Sequence, residues 1–202
     1  MNFNELFPVQ QKLDNKIVGE KGLGEQDLKK KKVVALLTEL FECVNEARFF
    51  KFWSKNQKAR NHDVKCHACN GKGEFISDVG HFIVKTELCG YCDRTGIQER
   101  SPLLEEYVDT IHFVLSIAIE YGYTQHEYKE PISIDLNDRV ISITYLVSSL
   151  PFIQEKVRHH QLSLIFDYVI SLGYQLGFTE GQVIAAYYDK NKINHQRQEQ
   201  GY

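Results

Sequence analysis

Two short motifs, Cys66-x2-Cys69 in CHACNGKGEF and Cys89-x2-Cys92 in ELCGYCDRTG, stand nineteen residues apart. Four thiols at this spacing constrain the chain more than any other feature. Each pair can bite one side of a tetrahedron, and Gly71, Gly73, Gly90 and Gly96 allow the tight turns that bring backbone close to sulfur. The spacing predicts a four-thiolate zinc site. His67 and His81 are lesser ligand candidates, which a complete thiolate set makes unnecessary. Four cysteines close the coordination sphere, so the expected role is structural. Binding the ion would supply folding energy that about thirty residues cannot draw from a core of their own. The fifth cysteine, Cys43, lies in a helical pattern and reads as core. Cysteines odd in number, four of them in close pairs, suggest metal binding in a reducing compartment, and the cytoplasm is the expected location.

The remainder of the chain reads as helix. Only four of its 202 residues are proline, which suits long helices. Helical patterns run over about Asn4 to Ile17, Gln26 or Lys30 to Trp53, and Ser101-Pro102 to Tyr121. Three more cover Leu136 to Ser149, Pro151 to Tyr174, and Thr179 to Gln198. Ser101 is a good N-cap and proline is tolerated just after it. Thr179 and Gln182 have capping-box spacing. Within the cysteine region, EFISDVGHFIVKTEL alternates as a hairpin would. The expected architecture is an all-α helical bundle over residues 1–63 and 97–202, with a zinc-knuckle β-hairpin module, 64–96, inserted. No apolar run reaches eighteen residues, so no membrane span is expected. The N-terminus lacks a signal-peptide core.

Acidic residues carry the chemical signal. On a wheel of the second helix, Glu39, Glu42 and Glu46 fall within about 60°, opposite Leu37, Leu40, Phe41 and Val44. Alone this is an ordinary wet face. In the helix after the cysteine module, Glu106 and Asp109 also lie within about 60°, but Val108, Ile111, Val114, Leu115 and Ala118 cover much of the rest. A helix apolar nearly all round belongs inside a bundle. Its carboxylates then reach an interior or a cleft wall, where an unpaired charge is expensive. A divalent cation is the natural compensation, and hard oxygen ligands on facing helices suit magnesium.

The paired E-x-x-E and E-x-x-D motifs bring the chain close to a known family. LFPVQQKLDNKI, LLTELFECVNEARFFKFWS, LLEEYVDTIHFVLSIAIEYGY and AYYDKNKINHQRQEQGY resemble, in order, the all-α dimeric dUTPases. These belong to the helical nucleotide pyrophosphatases that include the MazG-type enzymes. The resemblance implies a homodimeric helical bundle that hydrolyses dUTP to dUMP and pyrophosphate with two or more magnesium ions. It implies that Glu39, Glu42, Glu106 and Asp109 hold magnesium, with Glu46 as a fifth ligand or a supporting partner. Glu39 or Glu42 would orient or deprotonate the attacking water. Trp53, with Lys51 and Lys55, would stack on the base and attract phosphate. On the last helix, Tyr187, Lys190, Asn194 and Arg197 share about an 80° arc, which suits phosphate and sugar or base recognition. Gln10 and Asp14 resemble the positions that read uracil. Glu105 reads as solvated, and His112 and Asp135 as structural. The cysteine module departs from the family's core and falls between the two acidic helices.

Three other readings compete, one of them a helical assembly protein whose acidic faces are merely wet. The cysteine module could be a nucleic-acid- or protein-binding surface on a helical scaffold. Lys65, His67, Lys72 and Arg94 would then be its basic contribution, which is thin. The net charge of −3 asks for no nucleic acid. Alternatively, a related pyrophosphatase could act on another deoxynucleotide.

Overall fold

The computed structural model describes residues 1–61, 64–66, 68–78, 84–98 and 100–201. Six α-helices stand among them: α1 Leu6–Glu20, α2 Lys29–Ala47, α3 Pro102–Glu120, α4 Leu136–Ser149, α5 Glu155–Gln175 and α6 Glu180–Glu199. Between α2 and α3 come four short strands, β1 Val64–Lys65, β2 Glu74–Asp78, β3 Val84–Leu88 and β4 Ile97–Gln98. β2 and β3 form the hairpin, with Glu74 opposite Leu88. β1 pairs antiparallel with β4, Lys65 opposite Ile97, and ties the two ends of the cysteine-bearing segment together.

α3 is the centre of the bundle. Tyr107, Ile111, Val114, Leu115 and Ala118 are fully buried, as expected of a helix apolar nearly all round. α2, α1, α6 and α5 all pack against it. One hydrophobic core runs from Phe3 and Leu6 through Leu36, Leu40 and Cys43 to Val183 and Tyr187. The N-terminal and C-terminal portions thus share a single interior. Ser101 caps α3 by accepting from the Leu104 N–H, and Asp135 caps α4 by accepting from the Asp138 N–H. Thr179 and Gln182 form the capping box of α6.

The largest departures from the expected boundaries are at the end of α2 and the start of α5. α2 ends at Ala47 and not at Trp53, because Arg48 turns into the left-handed region at φ 62°. That conformation is uncommon for a residue with a side chain. Here the Arg48 guanidinium donates to the Asn56 carbonyl at 2.9 and 3.1 Å, and the Arg60 N–H caps the Glu46 carbonyl at 3.1 Å. The segment after α2 therefore folds back on the helix end. α5 begins at Glu155 because Leu150–Phe152 form a separate 3-10 turn after α4. Phe41, assigned to the apolar face, is also half exposed. The core side of α2 is instead formed by Val33, Leu36, Leu40, Cys43, Val44 and Ala47.

Candidate active site

The acidic pairs meet where α2 lies against α3. Glu39, Glu42 and Glu106 each present a carboxylate oxygen, and these oxygens lie within 4.8 Å of one another. Spacing of three residues on α2 aims two carboxylates at one region, and α3 supplies the third. Asp109 sits one turn beyond Glu106, and its Oδ2 accepts from the Lys190 ammonium of α6. The four acids are therefore neighbours, three in a cluster and one held by a cation.

Their electrostatics follow from burial and like charge. Burial, then the Asp109 and Glu42 charges, raise Glu39 from 4.5 to about 7, with Lys190 pulling the other way. Burial, then Asp109, Glu42 and Glu39, raise Glu106 from 4.5 to about 7. Asp109 is also raised, chiefly by burial, although Lys190 opposes the shift. Crowded, half-buried acids of this kind are what a hard divalent ion relieves. Among the described residues the ligand atoms that converge there are carboxylate oxygens, so the donor set fits magnesium.

Next to the cluster lies a cleft of about 380 Å³, walled by α1, α2, α3 and α6. Glu39, Asp109, Phe113, Lys190, Asn194 and Arg197 line it, as do Gln10, Asp14, His112 and Ser116. Carboxylates thus form one side and the α6 cations another. A second hollow, lined by Arg100, Glu106, Lys190 and Arg197 among others, continues along the seam between α3 and α6.

At the closed end, the Gln10 amide is fixed from three helices. Asp14 Oδ1 accepts from its Nε2 at 2.7 Å. A carboxylate cannot donate, so this contact sets which end of the amide is nitrogen. Its Oε1 then accepts from the Tyr187 hydroxyl at 2.8 Å and from His112 Nδ1 at 2.7 Å. The His112 proton therefore sits on Nδ1, and Nε2 carries a lone pair. That Nε2 is buried and makes no hydrogen bond of good geometry among the described residues, although the Tyr187 backbone lies close enough to the ring to favour its protonated form slightly. Burial pushes His112 down to about 3, so the ring is neutral. Its ring stacks on Tyr187 with centroids 4.1 Å apart. Asp14 also accepts from the Ser116 hydroxyl at 2.6 Å and from Lys32 at 3.3 Å.

Several predicted positions fall elsewhere. Tyr187 is fully buried and acts by holding Gln10. Glu46 accepts from Arg60 at 3.0 and 3.2 Å and is outside the three-acid cluster. Glu105 pairs with Arg100. Lys51, Trp53 and Lys55 line neither hollow, because α2 ends before them. Trp53 is 65% exposed and packs edge-on against Phe50 and Phe52. Lys51 donates to Asn45 Oδ1 at 2.6 Å. Conversely, His112, Phe113 and Ser116 belong to the cleft. They continue the Glu106–Asp109 stripe at helical spacing, which is the signal that could have found them.

The four cysteines also converge and are buried. The Sγ atoms of Cys66 and Cys89 are 3.8 Å apart, as are those of Cys69 and Cys92. A tetrahedron with zinc–sulfur arms of about 2.3 Å has edges of about 3.8 Å, so the cage fits zinc. The Gly73 N–H donates to Cys69 Sγ at 3.2 Å and the Gly96 N–H to Cys92 Sγ at 3.3 Å. A Cβ on Gly73 would strike the Arg94 carbonyl, and one on Gly96 the Gly71 carbonyl. Both knuckles therefore need glycine. His67 and His81 lie outside the described residues.

A helical bundle thus lines one cleft with paired acids on one side and cations on another. The chain matches the dUTPase family model over residues 2–95 and 91–202 and belongs to that family, a dUTPase-type nucleotide pyrophosphatase. The two matched stretches meet at the cysteine module. No curated protein matches the chain. No helix among the described residues is long and apolar enough to cross a membrane.

Proposed function

We propose that the protein hydrolyses dUTP to dUMP and pyrophosphate, with magnesium held by Glu39, Glu42, Glu106 and Asp109. The observation that carries this reading is the convergence of Glu39, Glu42 and Glu106 beside a cleft edged by Lys190 and Arg197, in a chain of the dUTPase family. Magnesium ions bound there would screen the phosphate oxygens and acidify a bound water. Glu39 or Glu42 would orient the attacking water and take its proton. Lys190 offers a point charge and Arg197 a fork of donors to the phosphates. Asn194 adds an amide that can reach sugar or base. Glu46 supports α2 through Arg60 and is not a ligand in this scheme. Lys51, Trp53 and Lys55 are left out of the contact set because they do not line the cleft.

The closed end suits a uracil ring. His112 lines the cleft, and Gln10 holds its proton on Nδ1 and so leaves Nε2 an acceptor. Uracil N3 carries a hydrogen and can donate to it, whereas the corresponding nitrogen of cytosine is an acceptor and would leave both unpaired. Gln10 and Asp14 act here by fixing the imidazole and closing the wall.

The active unit is a homodimer, as in the family resemblance. Support comes from an apolar face that the monomer leaves in water. Val34 and Phe41 on α2 are 63% and 49% exposed, and Ile141 and Tyr145 on the adjoining α4 are 65% and 71% exposed. The cysteine module, residues 64–96, is a zinc-stapled insertion that connects the two acidic helices and takes no part in the chemistry.

The deciding experiment is incubation of the purified protein with each deoxynucleoside triphosphate and magnesium, measuring pyrophosphate. Fast release from dUTP alone supports the reading. Activity that survives Glu39→Gln combined with Asp109→Asn ends it.

A further inference from the structure

Arg139, on the second turn of α4, is only 1% exposed yet meets no carboxylate among the described residues. Its Nε donates to Gln175 Oε1 at 3.3 Å and its Nη2 to the Ile132 carbonyl at 3.0 Å. The guanidinium carbon lies 4.8 Å from the Tyr168 ring centroid. Nη1 is buried with no acceptor among the described residues. Elsewhere Asp14 has Lys32 and Asp109 has Lys190, while Asp167 accepts from the Lys129 N–H at 2.8 Å beside a His126 whose protonated form burial disfavours. A buried cation without a counter-charge is destabilising by several kcal/mol, so an unmatched guanidinium calls for an anion.

Beside it is a hollow of about 360 Å³ that shares no lining residue with the acidic cleft. Arg139 lines it together with Tyr128, Ser133, Ser171, Tyr174 and Gln175. The Gln175 amide is spent on Arg139 and on the Ile134 carbonyl, so the cation and the lining hydroxyls are the groups that can donate to an oxygen ligand. The size is that of a small-molecule site. Glu130, also in the lining, is exposed and so belongs to the mouth. It disfavours anions at the entrance and leaves the Arg139 end to bind them.

We propose that this hollow is a second ligand site, which takes the carboxylate or phosphate group of a small molecule against Arg139. The inference does not depend on the dUTP reading, since no residue is shared.

Thermal unfolding of the zinc-loaded protein without magnesium tests it, with inorganic phosphate or acetate compared against chloride at equal ionic strength. An anion present at about ten times its dissociation constant should raise the midpoint by about 3 °C. The rise should vanish in Arg139→Met and in Ser171→Val, which puts apolar bulk in place of a lining hydroxyl while keeping the guanidinium. It should persist in Lys190→Met, which separates this site from the acidic cleft. If Arg139→Met does not fold, loss of the rise in Ser171→Val alone sustains the proposal. A larger rise in phosphate identifies a phosphoryl ligand and a larger one in acetate a carboxylate. A midpoint no higher than in chloride, or a rise undiminished in Ser171→Val, overturns it.

Discussion

Lys190 on α6 donates to Asp109 on α3, and this contact ties the cation wall of the cleft to its acidic wall. Both side chains are mostly shielded, at 23% and 14% exposure. Removing either leaves the other poorly matched. Asp109→Asn should lower pyrophosphate release from dUTP by about a hundredfold or more, the usual scale for one preorganised electrostatic group. Lys190→Met should weaken triphosphate binding as well as turnover. Steady-state kinetics would show a higher KM in the lysine variant, and an unchanged KM would argue against phosphate contact.

The raised acids give the magnesium-free protein a defined pH response. Folded Glu39 and Glu106 hold their protons up to about 7, whereas the unfolded chain releases them near 4.5. Their contribution to stability is therefore full below 4.5 and is lost as pH rises through 7. His112 acts in the opposite sense, losing its contribution as pH falls from 6.5 towards about 3. The two effects overlap, so a variant comparison is needed. Glu39→Gln should match the parent at about pH 5 and be the more thermostable of the two at about pH 8, both without magnesium. Melting curves at the two pH values check this. Magnesium should abolish the advantage, because it stabilises only the parent's full acid set.

The exposed apolar face of α2 and α4 predicts the oligomeric state. Val34 and Phe41 are seven residues apart and Ile141 and Tyr145 four apart, so each pair lies along one helical stripe. Phe41→Glu with Tyr145→Glu should convert a dimer into a monomer with helicity unchanged. Light scattering coupled to size exclusion measures it. A parent protein that is already monomeric would remove this part of the reading.

Which parts were legible in the sequence depends on the range of the forces that set them. The α4 boundaries, the Ser101 cap and the Thr179–Gln182 box rest on residues within four positions, and they were readable. So was the Glu39–Glu42–Glu106 cluster, because i, i+3 spacing on two buried-face helices leaves few alternatives. The end of α2 was not, since a left-handed arginine has no glycine to announce it. Its support comes from Asn56 and Arg60, eight and twelve residues on. Nor was the role of Tyr187, which reaches Gln10 across the bundle, or the lone pair of His112, which exists only because Gln10 and Asp14 fix the amide.

Zinc removal should act locally. The four thiols form a cluster apart from the main core, and the β1–β4 pair closes the cysteine-bearing segment at its base. A strong chelator should abolish thiol protection at Cys66, Cys69, Cys89 and Cys92 while leaving the helical circular dichroism in place. Loss of the helical signal would mean that the bundle depends on the staple. Gly73→Ala should mimic chelation in part, because its Cβ cannot coexist with the Arg94 carbonyl.

Gly173 inverts the usual expectation for glycine in a helix. Alanine at an ordinary helix-interior site is favoured over glycine by about 1 kcal/mol. Here a Cβ would lie 2.6 Å from Tyr107 Cζ and closer still to the hydroxyl. Tyr107 cannot easily yield. It is fully buried, donates to the Val169 carbonyl at 3.0 Å and packs on Phe178 at 5.4 Å. It also lies one residue from Glu106, so a displaced ring would shift the acidic stripe of α3. Gly173→Ala should therefore destabilise the protein by about 1–3 kcal/mol, the cost of overpacking, despite its better helix propensity. Tyr107→Phe in the same chain should recover part of the loss, since it removes the atom that clashes most. Chemical denaturation of the single and double variants measures both terms. Simple additivity between them would show that the contact is not what makes glycine necessary.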